Sequence, residues 1–296
     1  MLSLANFAMK GPFQAGIAVV LLSALSIWFT PLGLLVGAVI ALVTLRVSEV
    51  EGLKTLIWGL LTQLIIVMGL TGNYWPAIIA VLEFMLPVWI ISAVLKKTGS
   101  LALALQTSMV MVGLGVIGFH LTVADPTEWW TELFQQSLLP LLQESGVTYP
   151  QDTMNELVQM VTMLLGVFAL TLWFSIVLIA RWWQSQIYFP GRFSQDYYEL
   201  RLPKSTAYVA IVLAILGLIG AGHGLIYDLS GVVIAGLMFQ GLAIAHNTVN
   251  KRQASVAWLF ALYVLLFLLP QTMLILATIG LIDTWMDFRN RWDQEQ

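Results

Sequence analysis

Apolar runs, broken at short intervals by proline, glycine or a few charges, dominate the chain from one end to the other. The first covers residues 11–29, and Pro31 after it predicts a turn, because proline disfavours helix at the residue before it. That makes 32–45 a second, shorter pass, with a single kinked helix as the alternative. Arg46, Glu49, Glu51 and Lys54 predict a charged loop before a span over 55–70. Asn73, Tyr74 and Trp75 suit an interfacial turn, and Pro76 opens a fourth segment over 76–95. The fifth, 100–123, carries His120 near its far end, where a lone histidine reads as an interface residue.

Residues 124–155 form the longest polar loop. Asp125, Pro126 and Glu128 have the order of a helix start, with Asp as N-cap and Pro at the first helical position. Trp129, Trp130, Leu133 and Phe134 then share one face, which predicts an amphipathic helix in the outer headgroup region or a lid over an outward-facing pocket. Thr153 and Glu156 suit a capping box for a sixth segment that ends at Arg181. The loop 181–205 mixes Arg192, Arg201 and Lys204 with aromatic residues. It reads as a surface seated on anionic lipid or as a docking surface for a cytoplasmic or membrane protein partner.

The stretch 207–252 reads as a membrane hairpin, two arms of roughly 20 residues each joined by a polar turn at Asp228 to Ser230. Gly217, Gly220, Gly222 and Gly224 lie in the first arm and Gly231, Gly236 and Gly241 in the second, with His223, Gln240 and His246 among them. Gly220 and Gly224 have the small-xxx-small spacing that brings membrane helices together. These residues read either as packing contacts or as the polar lining of a ligand pocket. A last apolar run over 254–282 is interrupted by Pro270, as a long span or a short hairpin.

Composition fits this pattern: of 296 residues 59% are hydrophobic and 10% charged, against roughly 25% charged in a soluble domain. The fold class is therefore all-α, a polytopic helical membrane protein of about eight to ten hydrophobic segments in one integral membrane domain. Lys10 precedes a long apolar run that continues past Pro31 without a convincing small-x-small cleavage site, so the first span is expected to be retained. The acidic loop 124–155 has no Lys or Arg and is expected outside, whereas the amino terminus, 181–205 and the carboxyl terminus are expected in the cytoplasm. No cysteine occurs and the three histidines have no zinc-ligand spacing, so neither a metal nor another cofactor is expected. No stretch is basic enough for nucleic acid.

The sharpest candidate chemistry is Glu83. A carboxylate at membrane depth costs about 2.5–3.5 kcal/mol on insertion scales, so it is expected to face protein or water, with Gln240 as partner by depth. It reads as a functional group or as a helix tether. Pro87, four residues on, frees the carbonyl of Glu83. The phosphate-binding G-x-x-x-x-G-K-[ST] loop, H-E-x-x-H and G-x-S-x-G are all missing, and no enzyme activity is expected.

The segments Phe239 to His246, Gly280 to Arg289 and Pro190 to Lys204, with the apolar LYVLLFLLP run, together resemble the YybS-like family of uncharacterised bacterial multi-pass membrane proteins. That family is distantly similar to the substrate-binding components of energy-coupling-factor vitamin transporters. The resemblance implies a helical bundle around a small-molecule pocket in the bacterial cytoplasmic (inner) membrane. The expected function is transport or small-solute binding without an ATPase of its own; the alternative is a non-catalytic scaffold or assembly factor for an envelope complex. Ligand candidates are Glu83, Gln240, His223 and His246, and partner-docking candidates are Arg192, Arg201 and Lys204.

Overall fold

The computed structural model describes residues 2–145, 150–219 and 223–288. Among them the chain forms 14 helices and no strand. In order they are α1 Leu2–Ala8, α2 Pro12–Ser26, α3 Leu32–Arg46, α4 Glu49–Thr71, α5 Trp75–Thr98, α6 Leu101–Thr122, α7 Pro126–Ser137, α8 Leu139–Glu144, α9 Gln151–Tyr188, α10 Arg192–Tyr198, α11 Lys204–Ile219, α12 Leu225–Lys251, α13 Ala257–Leu268 and α14 Gln271–Met286. Five of them (α4, α5, α6, α9 and α12) are long and apolar enough to cross a membrane. The helices gather into two compact units, Met1–Ser108 with Thr171–Leu200 and Met109–Leu170 with Arg201–Gln296, so two of the three boundaries fall inside helices, α6 and α9, and the third falls between α10 and α11.

The first unit is built around α3. Every residue from Val36 to Leu45 is buried, as expected for a helix that is apolar all round. With 15 residues it is only about 22 Å long, short of a roughly 30 Å hydrocarbon core. Its last carbonyls need partners and find them in side chains: Lys96 Nζ donates to Thr44 O at 3.1 Å and Val47 O at 2.7 Å, and Gln184 Nε2 to Leu45 O at 3.3 Å. Lys96 therefore acts as a cap, a fitting place for a cation. The expected charged loop is shorter than its charges suggested, because Ser48 accepts the Glu51 N–H and starts α4 there.

Within α5 a π turn occupies Val81–Met85. Pro87 has no N–H, and the carbonyl of Glu83 accepts the Trp173 indole Nε1–H instead, at 2.9 Å. α9 does not stop at Arg181 as expected. The next residues contain no helix breaker before Pro190 and Gly191, and Arg181 is held by Asp196 of α10 and by Gln184. Helix thus replaces the first third of the expected 181–205 loop.

The second unit is built around α12, buried at nearly every position from Gly231 to Ile244. The expected turn at Asp228 to Ser230 is wrong: both residues lie inside the first turns of α12. Gly224, with φ +92°, is the N-cap and marks the end of the true turn, a conformation open to glycine. Gly220 and Gly222 lie outside the described residues, and Gly217 has nothing within 4 Å of where a Cβ would sit. The close approach of backbones is elsewhere, between α12 and α14. A Cβ on Gly241 would overlap the carbonyl of Leu276, and one on Gly280 would overlap that of Leu237. The last apolar run is two helices, parted at Leu269 and Pro270, where Leu269 is extended. Arg289 and Arg291 lie outside the described residues.

Candidate functional site

The second unit contains a cavity of about 130 Å3 where the end of α6, the start of α7, the first half of α9 and the start of α12 meet. Asp228 and His120 stand in its wall. His120 Nε2 and Asp228 Oδ2 are 2.7 Å apart, so one proton lies between them. The Asp228 side chain is 3% exposed and that of His120 14%. The Met163 backbone N–H also reaches the carboxyl, yet its Oδ1 is buried and makes no hydrogen bond of ordinary geometry among the described residues.

The rest of the wall is polar and aromatic. Asp125 Oδ1 accepts the N–H groups of Thr127 and Glu128, at 2.9 and 3.1 Å, and so caps α7 as the sequence predicts. That cap aims the helix so that Trp130 reaches α9, donating its indole N–H to Thr162 Oγ1 at 2.8 Å. Trp130 also packs against Trp129 and Phe119, with ring centroids 4.6 and 5.7 Å away. Gln159 and the exposed His223 complete the polar lining. Trp130 and Val158 are shared with an apolar groove of about 420 Å3 that runs between α7, α8 and α9. The apolar side of α7 therefore lines this groove.

The residues singled out from sequence scatter. His223 lines the cavity. Gln240 is fully buried and spent on structure: its Oε1 accepts the Leu202 N–H at 2.9 Å, and its Nε2 donates to Gly280 O at 2.8 Å and Asp283 Oδ2 at 3.3 Å. Glu83 is exposed, and its carboxylate has no partner among the described residues. Glu83 belongs to the first unit, whereas the amide of Gln240 is engaged on both its oxygen and its nitrogen within the second. The π turn that holds Glu83 adds a residue to the helix and turns the following face by roughly 100°, so depth and spacing do not predict which way it points. His246 Nε2 lies 2.9 Å from the Tyr263 hydroxyl, a contact between α12 and α13.

Among the docking candidates, Arg192 pairs with Asp196 at 3.2 Å within α10. Arg201 pairs with Asp287 and lies 3.7 Å from the fully buried Asp283. The hydrogen bond that Arg201 donates to Asp287 raises the guanidinium pKa against the effect of burial, so the cation persists at physiological pH. Lys204 is exposed at the start of α11. No group of three or more His, Cys, Asp or Glu that could hold a metal ion occurs among the described residues.

Sequence reasoning missed both members of the central pair. Asp228 was hidden by its neighbours: Asp-Leu-Ser imitates a polar turn, although Gly222, His223 and Gly224 just before it are the stronger turn signal. Once Asp228 is read as an ionisable residue inside an apolar helix, a partner for it is the natural question.

A family model described as a predicted membrane protein, DUF2232, matches residues 16–284. No curated protein and no solved structure matches the chain. The apolar helices and a match over almost the full length agree, and the chain belongs to the DUF2232 family of predicted membrane proteins.

Proposed function

We propose that this membrane protein is a small-solute-binding component of the transport type, with neither an ATPase nor catalysis of its own, and that the His120–Asp228 cavity holds the solute. The observation that carries the reading is the buried Asp228 Oδ1 without a hydrogen-bond partner. A buried acceptor left unsatisfied costs about 1–3 kcal/mol, more when charged. An oxygen of that kind in the wall of a cavity is suited to a donor that arrives with a ligand. The resemblance to the YybS-like family, read from the sequence, implies the same kind of role, with residence in the bacterial inner membrane. The scaffold reading draws less support, because Arg192 and Arg201 are engaged with Asp196, Asp283 and Asp287.

Affinity purification from native membranes tests the class of function. A co-purifying pair of ATPase subunits is the expected result. Recovery of an envelope-assembly complex with no ATPase would overturn it in favour of a scaffold.

A further inference from the structure

We infer that the ligand of this site is a single-chain amphiphile with a cationic, hydrogen-bond-donating head, its head at Asp228 and its tail in the groove beneath α7 and α8. The inference rests on the proposed binding role of the cavity and adds to it the chemistry of the occupant.

Adjacency of the two spaces is the first ground. A polar cavity of about 130 Å3 and an apolar groove of about 420 Å3 share Trp130 and Val158 as a common wall. The groove falls within the roughly 300–1,000 Å3 typical of ligand pockets. Leu133 and Phe134 of α7 face Leu157 and Val161 of α9 across it. Such a surface suits a hydrocarbon chain and offers nothing to a polar solute.

Charge is the second ground. Asp228 is a carboxyl with one oxygen engaged by His120 and the other unpartnered. Asp125 adds a second carboxylate to the cavity wall, and the whole of 124–155 contains no Lys or Arg. Among the described residues the only basic groups in the wall are His120, already held by Asp228, and His223, whereas an ammonium group supplies the donor that Oδ1 lacks. Trp130 adds an aromatic surface of the kind that attracts cations. A primary amine on an alkyl chain satisfies both halves of the site.

The test uses the full-length protein in phosphatidylcholine nanodiscs, titrated calorimetrically with dodecylamine, butylamine and dodecanoate, with empty nanodiscs subtracted. Dodecylamine is expected to bind more tightly than butylamine by about a hundredfold, since each buried methylene adds affinity, and more tightly than dodecanoate. Asp228→Asn is expected to weaken both amines by about tenfold or more, the loss of a charge-assisted hydrogen bond. Leu157→Glu, or Leu133→Gln on the opposite wall should the first variant not fold, is expected to shrink the chain-length advantage by about tenfold. Equal affinity for the two amines, an advantage untouched by the groove variants, or tighter binding of dodecanoate overturns the amphiphile. If Asp228→Asn still weakens butylamine in that case, the cavity remains the binding site and only its occupant was misjudged. If Asp228→Asn changes neither amine, both the occupant and the site are wrong.

Discussion

Gln240 ties three stretches of the second unit together. Its amide holds the Leu202 backbone on one side and the Gly280 carbonyl and Asp283 on the other. Gln240→Leu leaves those groups buried without partners and is expected to destabilise the protein by about 2–3 kcal/mol, read as a lower melting temperature in detergent. Asp287→Asn removes a part-exposed ion pair with Arg201, worth under about 1 kcal/mol. Asn also tolerates the left-handed backbone that Asp287 adopts, φ +47°, so the same measurement should show little change. The polar character of Gln240 at mid-span was legible in the sequence. Its partners, 38 to 43 residues away, were not, and the 108-residue separation of His120 from Asp228 hid that pair in the same way.

Whole helices were more legible than their contacts. Proline at Pro31 and Pro270 divides the apolar runs as expected, and Asp125 caps α7, because these are local backbone effects that need no partner. The absence of a breaker between Arg181 and Pro190 was legible, but the pairing of Arg181 with Asp196, 15 residues on, was not. Glycine is the sharpest case. Gly220 and Gly224 carry the familiar spacing; a tight crossing among the described residues is at Gly241 and Gly280, 39 residues apart in sequence. Gly280→Val is expected to force α14 from α12 and cost about 1–3 kcal/mol. Gly217→Val, in open space on α11, should leave the melting temperature almost unchanged. A drop of equal size in both variants would mean that helix propensity or lipid contact, not the crossing, sets the penalty.

As a whole the molecule is an all-helical membrane protein of two compact units, each arranged around one helix buried on every side, α3 and α12. Composition announces the membrane, and the glycine-rich stretch announces α12. What composition cannot announce is the cavity, which exists only where the ends of four helices meet. The central claim is that this cavity, and not Glu83, binds the solute. Mass spectrometry of small molecules that co-purify with the protein from native membranes tests it most directly, comparing wild type with Asp228→Asn and Glu83→Gln. The account predicts a bound molecule in the wild type and in Glu83→Gln, and its loss in Asp228→Asn with the protein still folded by size-exclusion chromatography. A molecule retained in Asp228→Asn, or lost in Glu83→Gln, would contradict it.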